Sequence, residues 1–177
     1  MKRVLIADDE PIERMIVTRT IQKYFPEELA VVSAVNGREA VEQFFAENCQ
    51  IALLDIEMPG MNGLEAAEQI RERDKNCSII FLTAFDEFNY AKRAIAVRAM
   101  EYLLKPVEDQ ELEAVLAEAI RIADEHTDDR EAGEKKEDEP VFAERDCHED
   151  AADTERSRIR NYMLVIPESL REIIRKC

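Results

Sequence analysis

Residues 53–63 read LLDIEMPGMNG and place an acid, Asp55, directly after a run of apolar residues. The run starts with another apolar pair just upstream, and its length is typical of a strand buried on both faces of a parallel sheet. A proline and two glycines soon follow the acid and indicate a loop. A buried strand that ends in an acid and a loop predicts a functional site at its carboxyl end.

Apolar runs of strand length alternate with segments of helical periodicity five times before residue 126, which indicates an α/β fold. The pattern predicts a doubly wound, five-stranded parallel sheet with right-handed crossover helices. The predicted strands are residues 4–7, 31–35, 51–54, 78–82 and 102–104, and the predicted helices are residues 11–24, 37–47, 63–73, 87–97 and 109–125. Residues 1–125 are therefore expected to form one domain.

The remaining residues, 126–177, differ from this domain in composition. An acidic segment with few large apolar residues comes first and indicates a solvated linker, with a long exposed helix continuing from Asp109 as the alternative. The last stretch, RSRIRNYMLVIPESLREIIRKC at 156–177, is basic and contains apolar residues again. We expect a helical or partly disordered appendage whose basic tail either docks on a partner or begins a longer element.

The composition excludes several classes of function. A formal net charge of −16 argues against a broad nucleic-acid-binding surface, because phosphate contact requires clustered lysine and arginine. Four widely separated cysteines without a CxxC pair predict neither a zinc site nor a disulfide framework. No apolar stretch reaches the roughly 18 residues of a spanning helix, and no signal peptide is evident. We therefore expect a cytoplasmic protein without a membrane partner, whose basic tail is the one candidate for nucleic-acid contact, through Arg158, Arg160, Arg171, Arg175 and Lys176.

Open parallel sheets bind ligands at the carboxyl ends of their strands, so the residues after each predicted strand are candidates for a site. Carboxylates a few ångströms apart repel one another by several kcal/mol at intermediate dielectric, so such a cluster needs a cation. Hard oxygen ligands in an incomplete protein shell favour Mg²⁺. The residues in question are Asp8, Asp9 and Glu10 after the first strand, Asp55 and Glu57 after the third, Thr83 and Ala84 after the fourth, and Lys105 and Pro106 after the fifth.

The same groups predict phosphoryl chemistry. Aspartyl groups form acyl phosphates, and Asp55 is the acid placed between the other strand ends, which makes it the expected nucleophile. Lys105 supplies a positive charge and Thr83 a hydrogen-bond donor for added phosphoryl oxygens. Each acid alone could instead cap the following helix, but complementary groups at four strand ends favour one shared site.

Over about residues 2–125 the chain resembles the receiver domain of two-component response regulators. The resemblance rests on VLIADDEP at 4–11, LLDIEMPGMNGLEAAEQIR at 53–71, IIFLTAF at 79–85 and AMEYLLKPV at 99–107. It implies the flavodoxin-like fold of chemotaxis regulators, with strand order 2-1-3-4-5. Within the family, the chain is most similar to receivers that precede an AraC-type DNA-binding domain, which implies transcriptional control.

The resemblance implies a partner and a cofactor. A sensor histidine kinase would transfer a phosphoryl group from a phosphohistidine to Asp55. Asp9, Asp55 and the backbone carbonyl of Glu57 would ligate Mg²⁺, and Asp8 would assist mostly through water.

The resemblance also assigns the residues that respond to the phosphoryl group. Thr83 and Lys105 would contact its oxygens, and a cis peptide between Lys105 and Pro106 would aim the lysine. Tyr102 matches the aromatic switch residue of the family and would turn inward when Thr83 moves toward the phosphate. The face built from the fourth helix, the last strand and the last helix would then change, and a homodimer through that face is expected.

Two other functions stay open at this point. A stand-alone receiver would signal by protein contact or phosphorelay, since no pair of helix-turn-helix units follows residue 125 and DNA binding would need a further output domain. An aspartyl-phosphate phosphatase would carry hhhhDxDxT at the first strand, where this chain has Asp8, Asp9 and Glu10. We therefore expect that the chain is not an enzyme and that its only reactions are the Mg²⁺-dependent phosphorylation and dephosphorylation of its own Asp55.

Overall fold

A computed structural model describes residues 1–84 and 88–133, with side chains for 1–84 and 89–125. The five apolar runs form one sheet in which every neighbouring pair is parallel, in the order β2-β1-β3-β4-β5. The predicted α/β fold and its strand order are thereby confirmed. The elements are β1 (Lys2–Ala7), α1 (Pro11–Tyr24), β2 (Leu29–Ala34), α2 (Gly37–Ala46), β3 (Ile51–Leu54), α3 (Gly63–Arg73), β4 (Ser78–Thr83), α4 (Phe88–Ala96), β5 (Glu101–Leu104) and α5 (Asp109–Gly133).

Helices cover both faces of the sheet because its central strands are apolar on both faces. Every residue of β3 and β4 is buried. On one face the strands pack against α2, α3 and α4, with Phe44 and Ile70 among the buried residues. On the other face they pack against α1 and α5, through Ile21 and Leu116. Because full burial of one such side chain contributes about 1.5–3 kcal/mol, these two layers hold the strand ends firmly in place.

The start of α3 lies directly against the end of β3. Asn62 and Glu65 form a reciprocal capping box, with hydrogen bonds of 2.9 and 3.0 Å between each side chain and the other residue's backbone N–H. A Cβ on Gly63 would lie 1.8 Å from the carbonyl oxygen of Asp55, so only glycine fits there. Gly60 has a φ of +78°, the left-handed region that glycine adopts most readily. This loop therefore fixes the backbone around Asp55.

Several strand ends differ from those predicted because backbone pairing, and not the apolar run, determines where a strand begins and ends. Lys2 pairs with Leu29 in the parallel ladder, so β1 and β2 both begin two positions before the predicted starts at 4 and 31. Val35 lies outside β2 and is 43% exposed. β4 and β5 each gain one residue, Thr83 and Glu101 respectively.

Three helices also differ from their predicted bounds. α2 ends at Ala46 and α4 ends at Ala96, each one residue before the predicted end. α4 begins at Phe88, next to residues 85–87, which lie outside the described part of the chain. α5 continues past the predicted end at 125 to Gly133, as the long-helix alternative expected. The predictions for residues 134–177 lie outside the described residues, and the domain boundary at 125 stays a prediction. Within the described residues, no helix is both long and apolar enough to cross a membrane.

Candidate metal and phosphoryl site

Three acids meet at the carboxyl edge of the sheet because β1 and β3 are neighbours. Ala7 pairs with Leu54, and the Asp55 N–H donates to the Ala7 carbonyl at 2.8 Å, so Asp8 and Asp55 leave adjacent strands at the same level. One carboxylate oxygen from each of Asp8, Asp9 and Asp55 lies within 4.8 Å of the others. The sequence prediction that these three acids form one cluster is therefore met in the fold.

Lys105 reaches this cluster from the end of β5. Its Nζ donates to Asp8 Oδ2 at 2.6 Å and lies 3.8 Å from Asp55 Oδ1. The peptide bond between Lys105 and Pro106 is cis, as the resemblance implied. The lysine thus bridges two carboxylates, with its shorter contact on Asp8 and not on Asp55.

The fold holds Asp55 as a buried carboxyl group. Asp55 is 8% exposed, and its Oδ1 accepts a hydrogen bond from the Ile56 N–H at 2.9 Å. Burial raises the pKa of Asp55 to about 6, and the charges of Asp8 and Asp9 act in the same direction. Lys105 and the Ile56 N–H oppose this rise but do not cancel it. The ionised form of Asp55 is therefore held at a free-energy cost that a bound cation would reduce.

Lys105 stays protonated although it is half-buried. Burial alone would lower the pKa of Lys105, but the hydrogen bond to Asp8 and the charges of Asp55 and Asp8 outweigh burial, so its pKa is raised. The lysine is therefore a fixed positive charge at the site, available to anionic oxygens.

The donor set fits Mg²⁺. Three carboxylates offer hard oxygen atoms on one side, and the exposed position of Asp9 leaves that side open to water or a phosphate oxygen. Asp8, Asp9 and Asp55 would hold the ion. The backbone carbonyl of Glu57 stays a predicted ligand, while its carboxylate accepts a hydrogen bond from the Tyr90 hydroxyl at 2.9 Å.

The two predicted switch residues lie on the neighbouring strands β4 and β5, and both are buried. Thr83 ends β4 and is fully buried. Tyr102 on β5 is 1% exposed, and its ring packs on Phe81 with 6.2 Å between centroids. The ring therefore already occupies an inward position in this structure, and its movement on phosphorylation stays a prediction, as do the roles of Thr83 and Lys105.

Sequence reasoning missed a contact that fixes the backbone of Asp8. Arg14 Nη1 donates to the Asp8 carbonyl at 2.6 Å, and the Glu10 N–H donates to Asp8 Oδ1 at 2.8 Å. No spacing in the sequence indicates the Arg14 contact, because its acceptor is a backbone carbonyl and not a side chain. Arg14 supports the acid cluster from α1 and adds positive charge beside it.

Comparison with known sequences places these residues in a family. Residues 4–117 match the family described as response regulator receiver domain. A positive alginate biosynthesis regulatory protein of Pseudomonas aeruginosa is 41% identical over 118 residues, covering 67% of this chain and 47% of that protein. The transcriptional regulatory protein YesN of Bacillus subtilis is 34% identical over 120 residues, 68% of this chain and 33% of YesN. The chain thus spans less than half the length of these two relatives.

Comparison with solved structures gives the same result. The response regulator TrrA of Thermotoga maritima, solved in complex with Mg²⁺-BeF, is 38% identical with a TM-score of 0.60, covering 67% of this chain and 99% of that structure. The receiver domain of AraT, a response regulator of Geobacillus stearothermophilus, is 35% identical with a TM-score of 0.62, covering 73% and 98%. The resemblance stated from the motifs is therefore confirmed, and the chain belongs to the response regulator receiver domain family.

Proposed function

We propose that Asp55 accepts a phosphoryl group from a phosphohistidine of a sensor histidine kinase, with Mg²⁺ as cofactor, and that this reaction switches a regulatory output. The observation that carries the proposal is the buried Asp55 carboxylate with Asp8, Asp9 and Lys105 gathered around it at the carboxyl edge. The TrrA structure, solved with Mg²⁺-BeF, supports the same choice of metal.

Each residue of the site has a separate role in the proposed phosphoryl transfer. A carboxylate oxygen of Asp55 attacks the phosphorus, the P–N bond breaks, and the histidine leaves with its electron pair. With a pKa of about 6, Asp55 is mostly ionised at pH 7, and the Ile56 N–H fixes its orientation. Bound Mg²⁺ would neutralise charge on the carboxylates and the phosphoryl oxygens. Lys105, already within 3.8 Å of Asp55, would then stabilise the oxygens of the attached group.

A stripe of exposed apolar residues beside the site supports a protein as the phosphodonor. Ile12, Met15 and Ile16 are 66%, 45% and 48% exposed on α1, the helix that follows Asp8 and Asp9. Their spacing places them on one face of the helix, and exposed apolar groups that adjoin one another mark protein contacts. We assign this stripe to the contact with the kinase.

The output proposed for the full-length protein is transcriptional control in the cytoplasm. Its support is that YesN and the alginate regulator are named as regulatory proteins, and DNA contact would then belong to a further domain. A homodimer through the face of α4, β5 and α5 is part of the proposal, and sizing with and without beryllium fluoride tests it. An unchanged monomer would contradict dimerisation as the output and favour the alternative, a receiver that acts by protein contact or phosphorelay.

Labelling with acetyl phosphate tests the proposed function. In Mg²⁺ the wild-type chain is expected to take up one phosphoryl group, and Asp55→Ala to take up none while retaining its circular dichroism spectrum. Glu47→Ala, which alters an exposed acid at the opposite edge of the sheet, is the matched control and should label normally. Repeated turnover of a small phosphomonoester would instead favour the phosphatase alternative, and labelling of Asp55→Ala would remove Asp55 from its role.

A further inference from the structure

A hydrogen bond joins α4 to the loop that carries the proposed phosphoacceptor. The Tyr90 hydroxyl donates to Glu57 Oε1 at 2.9 Å. Glu57 lies two residues after Asp55, and its neighbours Ile56 and Met58 are buried while Glu57 itself is exposed. The flanking residues therefore anchor the loop, and the Glu57 side chain extends from it at the rim of the site.

The helix that presents Tyr90 is held by contacts of its own. Arg93 Nε and Nη2 donate to Glu68 Oε1 on α3 at 3.1 and 2.8 Å. Arg71 Nε, also on α3, donates to the Val97 carbonyl just after α4 at 2.9 Å. Because these contacts fix α4 against α3, loss of the Tyr90 hydroxyl would free the Glu57 carboxylate without releasing the helix.

A free carboxylate at this position has a chemical consequence. The aspartyl phosphate is lost when water attacks the phosphorus, a new P–O bond forms, and the bond from the Asp55 oxygen to phosphorus breaks. The carboxylate of Asp55 leaves, and the water gives a proton to solvent as inorganic phosphate is released. A carboxylate that can turn toward the phosphoryl group accepts a hydrogen bond from the attacking water and orients it. In the observed arrangement, the Glu57 carboxylate is directed to Tyr90 instead.

We propose that Tyr90 is a positioning residue that keeps the Glu57 carboxylate away from the phosphoryl group and so prolongs the phosphorylated state of Asp55. This inference rests on the proposed function, because it requires phosphorylation of Asp55. It assigns to α4 a direct effect on the lifetime of the signal, through one side-chain contact.

A double-mutant cycle tests this inference. Wild type, Tyr90→Phe, Glu57→Ala and the double variant are labelled with acetyl phosphate in Mg²⁺ and desalted, and loss of label is followed over time. Tyr90→Phe is expected to shorten the half-life about threefold to tenfold, the effect of one hydrogen bond. In the Glu57→Ala background, the same substitution is expected to change the half-life by less than about 1.5-fold, because the carboxylate is gone.

A matched control is Tyr24→Phe, which removes a hydroxyl contacted by Lys23 at the end of α1. Its half-life should equal that of wild type, and an equal shortening there would overturn the inference. Equal half-lives of wild type and Tyr90→Phe, or a shortening that persists without Glu57, would also overturn it. Calorimetric Mg²⁺ titration of each unlabelled protein separates the failure of this inference from the failure of the proposed function. If the proteins bind Mg²⁺ but none of them, wild type included, takes up label, the proposed function itself is overturned.

Discussion

The two edges of the sheet are built from the same strands but bury different chemical groups. At the carboxyl edge, Asp8 and Asp55 lie buried beside Lys105, and the adjoining cavity has a volume of only about 40 Å³. At the amino edge, a cavity of about 440 Å³ is lined by Cys49 and Cys77 among aromatic and polar residues. The larger cavity therefore lies away from the acid cluster, and cavity size alone would misplace the site.

The two edges differ in the charge state of the groups that they bury. Burial raises the pKa of both thiols to about 11, so Cys49 and Cys77 remain neutral at pH 7 and are buried at little cost. Burial raises the pKa of Asp55 only to about 6, so this carboxylate is charged at neutral pH in an environment that disfavours charge. The carboxyl edge is thus the one where binding of a cation gains most free energy.

Removal of Mg²⁺ is expected to have the largest effect and to act only at the carboxyl edge. Chelation should lower the initial rate of phosphoryl uptake from acetyl phosphate by roughly 100-fold or more, since several kcal/mol of charge stabilisation is lost. Labelling rates in MgCl₂ and in EDTA at equal ionic strength give the comparison, with Asp9→Asn as the variant expected to need more Mg²⁺. Equal rates in both buffers would contradict the assignment of the acid cluster as a metal site.

Asp55→Asn is expected to stabilise the protein when Mg²⁺ is absent. The folded chain keeps the Asp55 proton up to pH of about 6, whereas the group titrates near 3.8 without burial. Between these values the folded state binds more protons, so the free energy of unfolding of wild type falls as pH rises. At pH 7 the amide variant should be more stable, by up to roughly 3 kcal/mol.

Urea unfolding followed by circular dichroism at pH 4 and pH 7 measures this difference. The gap between Asp55→Asn and wild type should be small at pH 4 and larger at pH 7, and Mg²⁺ should reduce it by stabilising wild type alone. If the variant is less stable than wild type at pH 7, or if the difference in stability does not depend on pH, the charge of Asp55 does not lower the free energy of unfolding.

Lys105→Ala is expected to have a smaller effect on stability and a selective effect on signalling. Without the ammonium group, no positive charge offsets the repulsion between Asp8 and Asp55. We therefore expect the free energy of unfolding to fall by roughly 2 kcal/mol when Mg²⁺ is absent. Mg²⁺ binding should largely persist, while the response to beryllium fluoride weakens. Lys23→Ala, which breaks an exposed pair with Asp109, should be less damaging, and equal losses in both variants would argue against a special role for Lys105.

Substitution at the amino edge is expected to have the smallest effect on function. Cys49→Ala and Cys77→Ala each remove a buried sulfur, and both should lower the melting temperature slightly because a cavity is left. Neither should change the rate of phosphoryl uptake by more than about twofold, since distant sites act independently. A tenfold fall in either variant would show that the two edges are coupled.

The strand centres follow from sequence because apolar runs mark burial, but the strand ends depend on pairing. β3 was predicted with its observed bounds, since an acid and a polar residue flank its apolar run. β2 was predicted too far along the chain, because Val35 looks like a strand residue, whereas the pairing of Lys2 with Leu29 sets the register. For α5, the absence of a strong breaker before Gly133 left its end open.

The acids of the candidate site could be predicted because parallel topology alone brings strand ends together. Contacts that depend on how helices pack could not be predicted in this way. The Arg14 contact with the Asp8 carbonyl and the Tyr90 contact with Glu57 each join a helix to a loop that follows a strand, and no spacing in the sequence specifies them. The shorter distance from Lys105 to Asp8 than to Asp55 likewise follows from side-chain conformation.

The most direct test of the central claim is to locate the phosphoryl group. After exposure to acetyl phosphate and Mg²⁺, borohydride reduces an aspartyl phosphate to an alcohol, and mass spectrometry of peptides finds the changed residue. The account predicts reduction at Asp55 alone, dependent on both Mg²⁺ and the phosphodonor. Reduction at Asp8 or Asp9, or no reduced residue in protein that carries the label, would contradict it.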